Sequence, residues 1–122
     1  MKTTYIKIGI IVIIGVLMLN FLNSLFSGGS GDENLTEVIQ KGAFLVDVRT
    51  PEEFAMGSAP GAVNIPLDKV ATRIREFDGK DKIVVFCRSG NRSSQAKRIL
   101  EAKGHKEVIN GGTWQNVRNH IK

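Results

Sequence analysis

Lys82-Ile83-Val84-Val85-Phe86-Cys87-Arg88-Ser89-Gly90-Asn91-Arg92-Ser93 joins a β-branched apolar run to a polar turn, and Ser94 to Ala102 then follow with helix-forming residues until Gly104. A short apolar run with no polar alternation reads as a strand buried on both faces, which is the pattern of a parallel sheet. The same rhythm surrounds it. Upstream, Asn34 and Glu37 form a capping pair for a helix carrying Leu35, Val38 and Ile39 and stopped by Lys41-Gly42. Ala43-Phe44-Leu45-Val46 is a second buried strand, ending at Asp47. Thr50-Pro51-Glu52-Glu53 starts a short helix, with Thr50 as cap, Pro51 in the first turn and Glu53 closing the box. Pro60 and Pro66 bracket room for only a brief strand, and Leu67, Val70, Ile74 and Phe77 recur at helical spacing. Glu107-Val108-Ile109 is a last strand, and Thr113 caps a closing helix with Trp114, Val117 and Ile121 along one side. Strands alternating with helices predict an α/β fold, a small open parallel sheet with helices on both faces. Sheets of that kind bind ligands at the carboxyl ends of their strands, where Cys87 and Asp47 both fall.

Cys87 is the only cysteine of 122 residues. A thiol at a strand exit, ahead of a helix start, faces unpaired backbone N–H groups and has cationic neighbours in Arg88 and Arg92. Both influences favour the thiolate, and cysteines so placed have pKa values of roughly 3.5–7.5 against an ordinary value of about 8.5. The two arginines sit where positive charge opposes the helix dipole. An anion held by their guanidinium forks and by the loop N–H groups would offset that cost. Asp47 and Arg49 are expected as supports of the loop, with Arg49 and Glu53 four residues apart forming an ion pair. Trp114 is expected as a core anchor with its N–H bonded near the loop. His105 and His120 are expected as solvated surface residues; with no cysteine or carboxylate pattern beside them, no metal site is expected and no cofactor is needed.

The run Cys87-Arg88-Ser89-Gly90-Asn91-Arg92-Ser93, preceded by Asp47-Val48-Arg49-Thr50-Pro51-Glu52-Glu53-Phe54 and by Gly57 to Pro66, and followed by Gly111-Gly112-Thr113-Trp114, resembles a single-domain rhodanese. Four motifs fall in that family's order between Leu35 and Lys122. The resemblance implies that Cys87 takes up a sulfane sulfur as a persulfide. Arg88, Ser89, Gly90, Asn91, Arg92 and Ser93 would then cradle the donor anion and the persulfide. The donor would be thiosulfate or a similar small anion, and the acceptor a thiol or cyanide. Ser58 departs from the pattern, standing where relatives often carry histidine, so no proton-transfer role is assigned there. Two other functions fit parts of the pattern. A cysteine phosphatase or arsenate reductase also pairs a thiolate with an arginine loop, but such loops carry arginine six positions after the cysteine, where this chain has Ser93. A non-catalytic rhodanese-like module docking a membrane partner would need neither the cysteine nor the arginines.

The first thirty residues differ from the rest. After a short basic start at 1–7, residues 8–26 form an apolar stretch; as a helix it would span about 28 Å, close to a bilayer's roughly 30 Å hydrocarbon core. Lys2 and Lys7 precede it, whereas Asp32, Glu33 and Glu37 come before the next lysine, Lys41. That asymmetry predicts a membrane anchor with the domain on the extracytoplasmic side, in a periplasm or at the cell exterior. A cleaved signal peptide ending near Ser27-Gly28-Gly29 is the competing reading, and it places the domain on the same side. Residues 27–33 read as a Gly/Ser tether and 34–122 as the folded domain. The formal charge is +5, two of it from Lys2 and Lys7. With no basic run interleaved with aromatics, nucleic acid is not an expected partner.

Overall fold

The computed structural model describes residues 31–122. The expectations for the basic start, the anchor or signal segment, and the first part of the tether lie outside the described residues. Among the described residues no helix is long and apolar enough to cross a membrane.

The elements alternate as the patterning predicts. Helix α1 spans Gly31–Gln40, β1 Phe44–Asp47, α2 Pro51–Ala55, β2 Val63–Asn64, α3 Leu67–Val70, β3 Ile83–Cys87, α4 Asn91–Ala102, β4 Val108–Thr113 and α5 Trp114–Asn119. All strand pairs are parallel, in the order β2-β1-β3-β4. The chain therefore runs outward from β1 to β2, then crosses back to lay β3 on the other side of β1. That reversal opens a crevice at the carboxyl ends of β1 and β3.

Two differences from expectation are local. Helix α1 begins at Gly31, three residues before the expected cap at Asn34, inside the stretch read as tether. The stretch from Leu67 to Phe77 is not one helix: α3 ends at Val70, and a separate 3-10 turn occupies Ile74–Phe77. Arg73 leaves helical geometry at φ −105°, ψ 27°, and Thr72 Oγ1 donates to the Lys69 carbonyl at 3.1 Å. A hydroxyl bonding back to the backbone competes with helix continuation. The apolar spacing survives the break, since Val70 and Phe77 are both fully buried.

Strand alternation divides β3 between two cores. Ile83, Val85 and Cys87 join Val46, Val48, Val70, Ala96 and Leu100 on the side of α3 and α4. Val84 and Phe86 join Leu45, Leu35, Val38 and Val117 on the side of α1 and α5. Helices thus cover both faces, and a strand buried on both sides is what the unbroken apolar run demanded.

β3 and β4 slip register between Val85 and Phe86, so that Val85 pairs with Asn110 and Phe86 with Gly112. Gly111 sits at this bulge. A Cβ there would lie 2.6 Å from Val117 Cγ2 and 3.0 Å from Val84 Cγ1, so only glycine fits without moving the core.

Candidate active site

Cys87 is the last residue of β3, fully buried, and the chain turns over it through Arg88-Ser89 to Gly90. Gly90 precedes α4 in left-handed geometry, φ 97° and ψ −9°, a conformation glycine adopts at no steric cost. That twist aims the Gly90 N–H at Cys87 Sγ, 3.0 Å away. Ser93 Oγ, from the first turn of α4, lies 3.4 Å from the same sulfur. Burial pushes the thiol up, but the Ser93 hydroxyl and the N–H groups of Ser93, Ser89 and Gly90 outweigh it and bring the thiol down to about 7. The lowered thiol expected from the strand-to-helix junction is therefore present, with neutral donors supplying the effect.

Asn110, which the sequence analysis did not single out, braces this loop from the bulged strand. Its Oδ1 accepts from Ser93 Oγ at 2.7 Å and from Gly112 N at 2.9 Å, while its Nδ2 donates to the Gly90 carbonyl at 3.1 Å. One side chain thereby holds the Ser93 hydroxyl and the Gly90 carbonyl, next to the sulfur. The only signal for it was its place directly before Gly111-Gly112.

The charged residues pair differently from expectation. Arg49 does not pair with Glu53. It is buried, and its guanidinium grips Asp47, Nη2 to Oδ2 at 2.7 Å and Nε to both carboxylate oxygens at 3.0 Å. Arg49 Nη2 also donates to the Gly57 carbonyl at 2.6 Å, and Ser58 Oγ donates to Asp47 Oδ2 at 2.7 Å. Asp47 thus fixes the β1 exit and the Gly57-Ser58 turn, and among the described residues it makes no hydrogen bond to the cysteine loop. Arg49 follows two residues after Asp47, and its own N–H also bonds that carboxylate at 2.9 Å.

Glu53 pairs across 39 residues with Arg92, Oε1 to Nη1 at 2.6 Å and Oε2 to Nη2 at 3.0 Å. This two-point contact, with the Thr50 capping bonds, draws Glu53 down to about 2 despite the opposing push of desolvation. Arg92's position in the first turn of α4 is offset by this carboxylate, so the compensating anion inferred from sequence is already present as a side chain. Arg88 is exposed and has no ion-pair partner among the described residues. Asn91 is exposed, and its N–H reaches Ser89 Oγ at 3.4 Å.

Trp114 is half-buried, and the guanidinium groups of Arg49 and Arg118 lie over its ring, 5.2 Å and 5.0 Å from the ring centre. Among the described residues its N–H finds no hydrogen-bond partner, so the expected bond near the loop is replaced by cation–π stacking. With Arg49, Glu53, Met56, Gly57 and Arg88 it lines a cleft of about 360 Å³. The two histidines are half-buried rather than solvated. His105 tilts against Phe77, 6.2 Å between ring centres, and His120 Nδ1 lies 2.7 Å from the Asn116 carbonyl.

Residues 32–116 match the model of the rhodanese-like domain family. The chain is 39% identical over 74 residues to the thiosulfate sulfurtransferase PspE of Escherichia coli, an alignment covering 59% of this chain and 71% of PspE. It is 41% identical over 66 residues to a sulfurtransferase of Allochromatium vinosum, covering 54% of this chain and 62% of that protein. A Bacillus subtilis relative described as a sulfur carrier protein is 42% identical over 66 residues, which are 36% of its length. Among solved structures, an Escherichia coli rhodanese with anions superposes with a TM-score of 0.57 at 35% identity, over 62% of this chain and 91% of that one. The human single-domain sulfurtransferase TSTD1 superposes with a TM-score of 0.61 at 27% identity, over 72% and 95% of the two chains.

Proposed function

Since the chain belongs to the rhodanese-like domain family, we propose that it is a sulfurtransferase that moves a sulfane sulfur from thiosulfate or a similar anion to a thiol or cyanide through a persulfide on Cys87. The observation that carries this reading is the buried Cys87 sulfur under the Gly90 N–H and the Ser93 hydroxyl, with its thiol near neutrality. A thiol so tuned is substantially thiolate at pH 7, and the thiolate is the nucleophile.

The Cys87 thiolate attacks the outer sulfur of the donor; the new Sγ–S bond forms as the donor's S–S bond breaks, and its electron pair leaves with sulfite. The persulfide charge comes to rest among the N–H groups of the Ser89–Ser93 turn, whose preorganised dipoles act as an oxyanion hole does. Arg88, without a carboxylate partner among the described residues, meets the incoming anion. In the second step an acceptor thiolate or cyanide attacks the outer persulfide sulfur and restores Cys87, a ping-pong cycle that uses no cofactor. The relatives' names and the anions held by the Escherichia coli neighbour support this reading.

We also propose that residues 8–26 anchor the protein to a membrane with its catalytic domain on the extracytoplasmic side, on the strength of their apolar length and the lysine asymmetry around them.

Incubation with thiosulfate followed by intact mass measurement tests the chemistry. The protein is expected to gain one sulfur atom, lose it to cyanide, and gain none as Cys87→Ser. A wild-type chain that stays unmodified at saturating thiosulfate would overturn the assignment.

A further inference from the structure

Cys87 has no exposed surface, yet its sulfur must meet both a donor and an acceptor, so part of the crevice has to move. The loop over the sulfur is braced, because Asn110 bonds both Ser93 and Gly90. Helix α2 has no such support. None of its residues is fully buried, and its one aromatic, Phe54, is half-buried and packs into neither apolar core among the described residues. Met56, which ends the helix, is 90% exposed. One guanidinium fixes both flanks: Arg49, locked to Asp47, precedes Thr50, and its Nη2 holds the Gly57 carbonyl at 2.6 Å. Gly57 has φ 143°, a backbone conformation that favours glycine. Between these flanks, among the described residues, the hydrogen bonds that leave residues 51–56 for another element are the two that Glu53 accepts from Arg92. Arg92 stands next to Ser93 in the first turn of α4.

We propose that α2 is a strap across the mouth of the Cys87 site, latched by the Glu53–Arg92 ion pair and pivoting at Thr50 and Gly57, and that reagents reach the sulfur when the latch opens. A segment with few buried apolar contacts opens locally with little free energy, and opening of such lids gates many active sites. The two-point contact defines the closed arrangement. The Arg92 and Glu53 side chains are nevertheless 32% and 29% exposed, so water and salt screen the pair and allow it to release. Opening leaves the Gly90 N–H and the Ser93 hydroxyl beside the sulfur, since Asn110 braces their loop from β4. Access and thiol ionisation are thus set by different groups. The inference concerns entry to Cys87, and its test reads alkylation rather than sulfur transfer, so either reading can fail without the other.

The full-length chain and its Glu53→Gln variant are alkylated with iodoacetamide, the Cys87 thiolate displacing iodide as the Sγ–C bond forms. The reagent is neutral, so no charge on the protein steers it. Glutamine still accepts from the Thr50 N–H and keeps the capping box while removing the charge from the latch. At about pH 9 the thiol, at about 7, is ionised, and the rate reports access. Wild-type Cys87 is expected to react at least about tenfold more slowly than a thiolate in an unstructured peptide, and Glu53→Gln about fivefold faster than the wild type. Arg92 feels the Cys87 charge, so freeing its guanidinium lowers the thiol further; a thiolate of lower pKa is a weaker nucleophile, and a charge effect alone would slow the variant. Raising salt from about 0.05 M to about 1 M should speed the wild type about twofold by screening the latch, and leave the peptide and Glu53→Gln unmoved. Urea midpoints of both chains separate local release from global unfolding, and if the variant fails to fold the salt dependence of the wild type decides alone. A folded Glu53→Gln chain alkylated no faster than the wild type, a wild-type rate independent of salt, or a wild type as reactive as the peptide overturns the proposal.

Discussion

At Cys87, burial and hydrogen bonding act in opposite directions, and hydrogen bonding wins by bringing the thiol to about 7. The rate of persulfide formation should accordingly follow a single titration: below pH 7 it falls about tenfold per unit as the thiolate is protonated, and above about pH 8 it levels off. The single Ser93 hydroxyl proton goes to Asn110 Oδ1 beside the neutral thiol and turns to the sulfur, 3.4 Å away, on ionisation; Ser93→Ala removes it while leaving the Gly90 N–H in place, so the midpoint should move upward. Stopped-flow loading across pH 5–9 measures both; a midpoint unmoved in Ser93→Ala would assign the depression to the backbone alone. Asp47 belongs to the same scale. It is buried against an equally buried Arg49, and Asp47→Ala strands that guanidinium. Removing one partner of a buried pair costs about 3–5 kcal/mol, to be read as a lowered urea midpoint.

At the scale of elements, the loop between β3 and α4 is shaped from β4. The bulge after Val85 is what lets Asn110 reach both Ser93 and Gly90. Asn110→Ala should therefore slow persulfide formation by roughly tenfold, since two or three hydrogen bonds of about 0.5–1.5 kcal/mol each hold the donors over the sulfur. Gly111→Ala tests the bulge from the other side, driving a methyl into Val117 and Val84. Overpacking of that kind costs about 1–3 kcal/mol, and equilibrium unfolding should show it without a change in m.

For the molecule as a whole, Glu53 and Arg92 tie α2 to the start of α4 across the crevice. The Glu53 carboxyl is lowered in the folded state, from 4.5 to about 2. A depressed acid stabilises the fold fully above its unfolded value, and that contribution is lost as pH falls from about 4.5 toward 2. Urea midpoints of the wild type should decline over this window more steeply than those of Glu53→Gln. If residues 8–26 are an anchor, the full chain should stay with membranes in carbonate and leave only in detergent, whereas a chain beginning at Gly31 should be soluble, because hydrophobic insertion is insensitive to salt and pH. Full-length protein released by carbonate would overturn the anchor.

Much of this was legible in the chain because it depends on neighbours in sequence. The apolar run before Cys87 required a strand covered on both faces; Thr50 with Glu53 and Thr113 with Asn116 formed their caps within one helical turn; the strand-to-helix junction placed donors over the thiol. What tertiary structure alone decided was which charges meet. Arg49 had carboxylates available at Asp47 and Glu53, and sequence spacing ranked them wrongly. Asp47 and Arg49 pair where both are buried at the end of β1, and Glu53 meets a partner 39 residues away. The role of Asn110 was hidden for the same reason. It depends on a one-residue slip between two strands, and register is set by how side chains pack across the sheet rather than by any single segment.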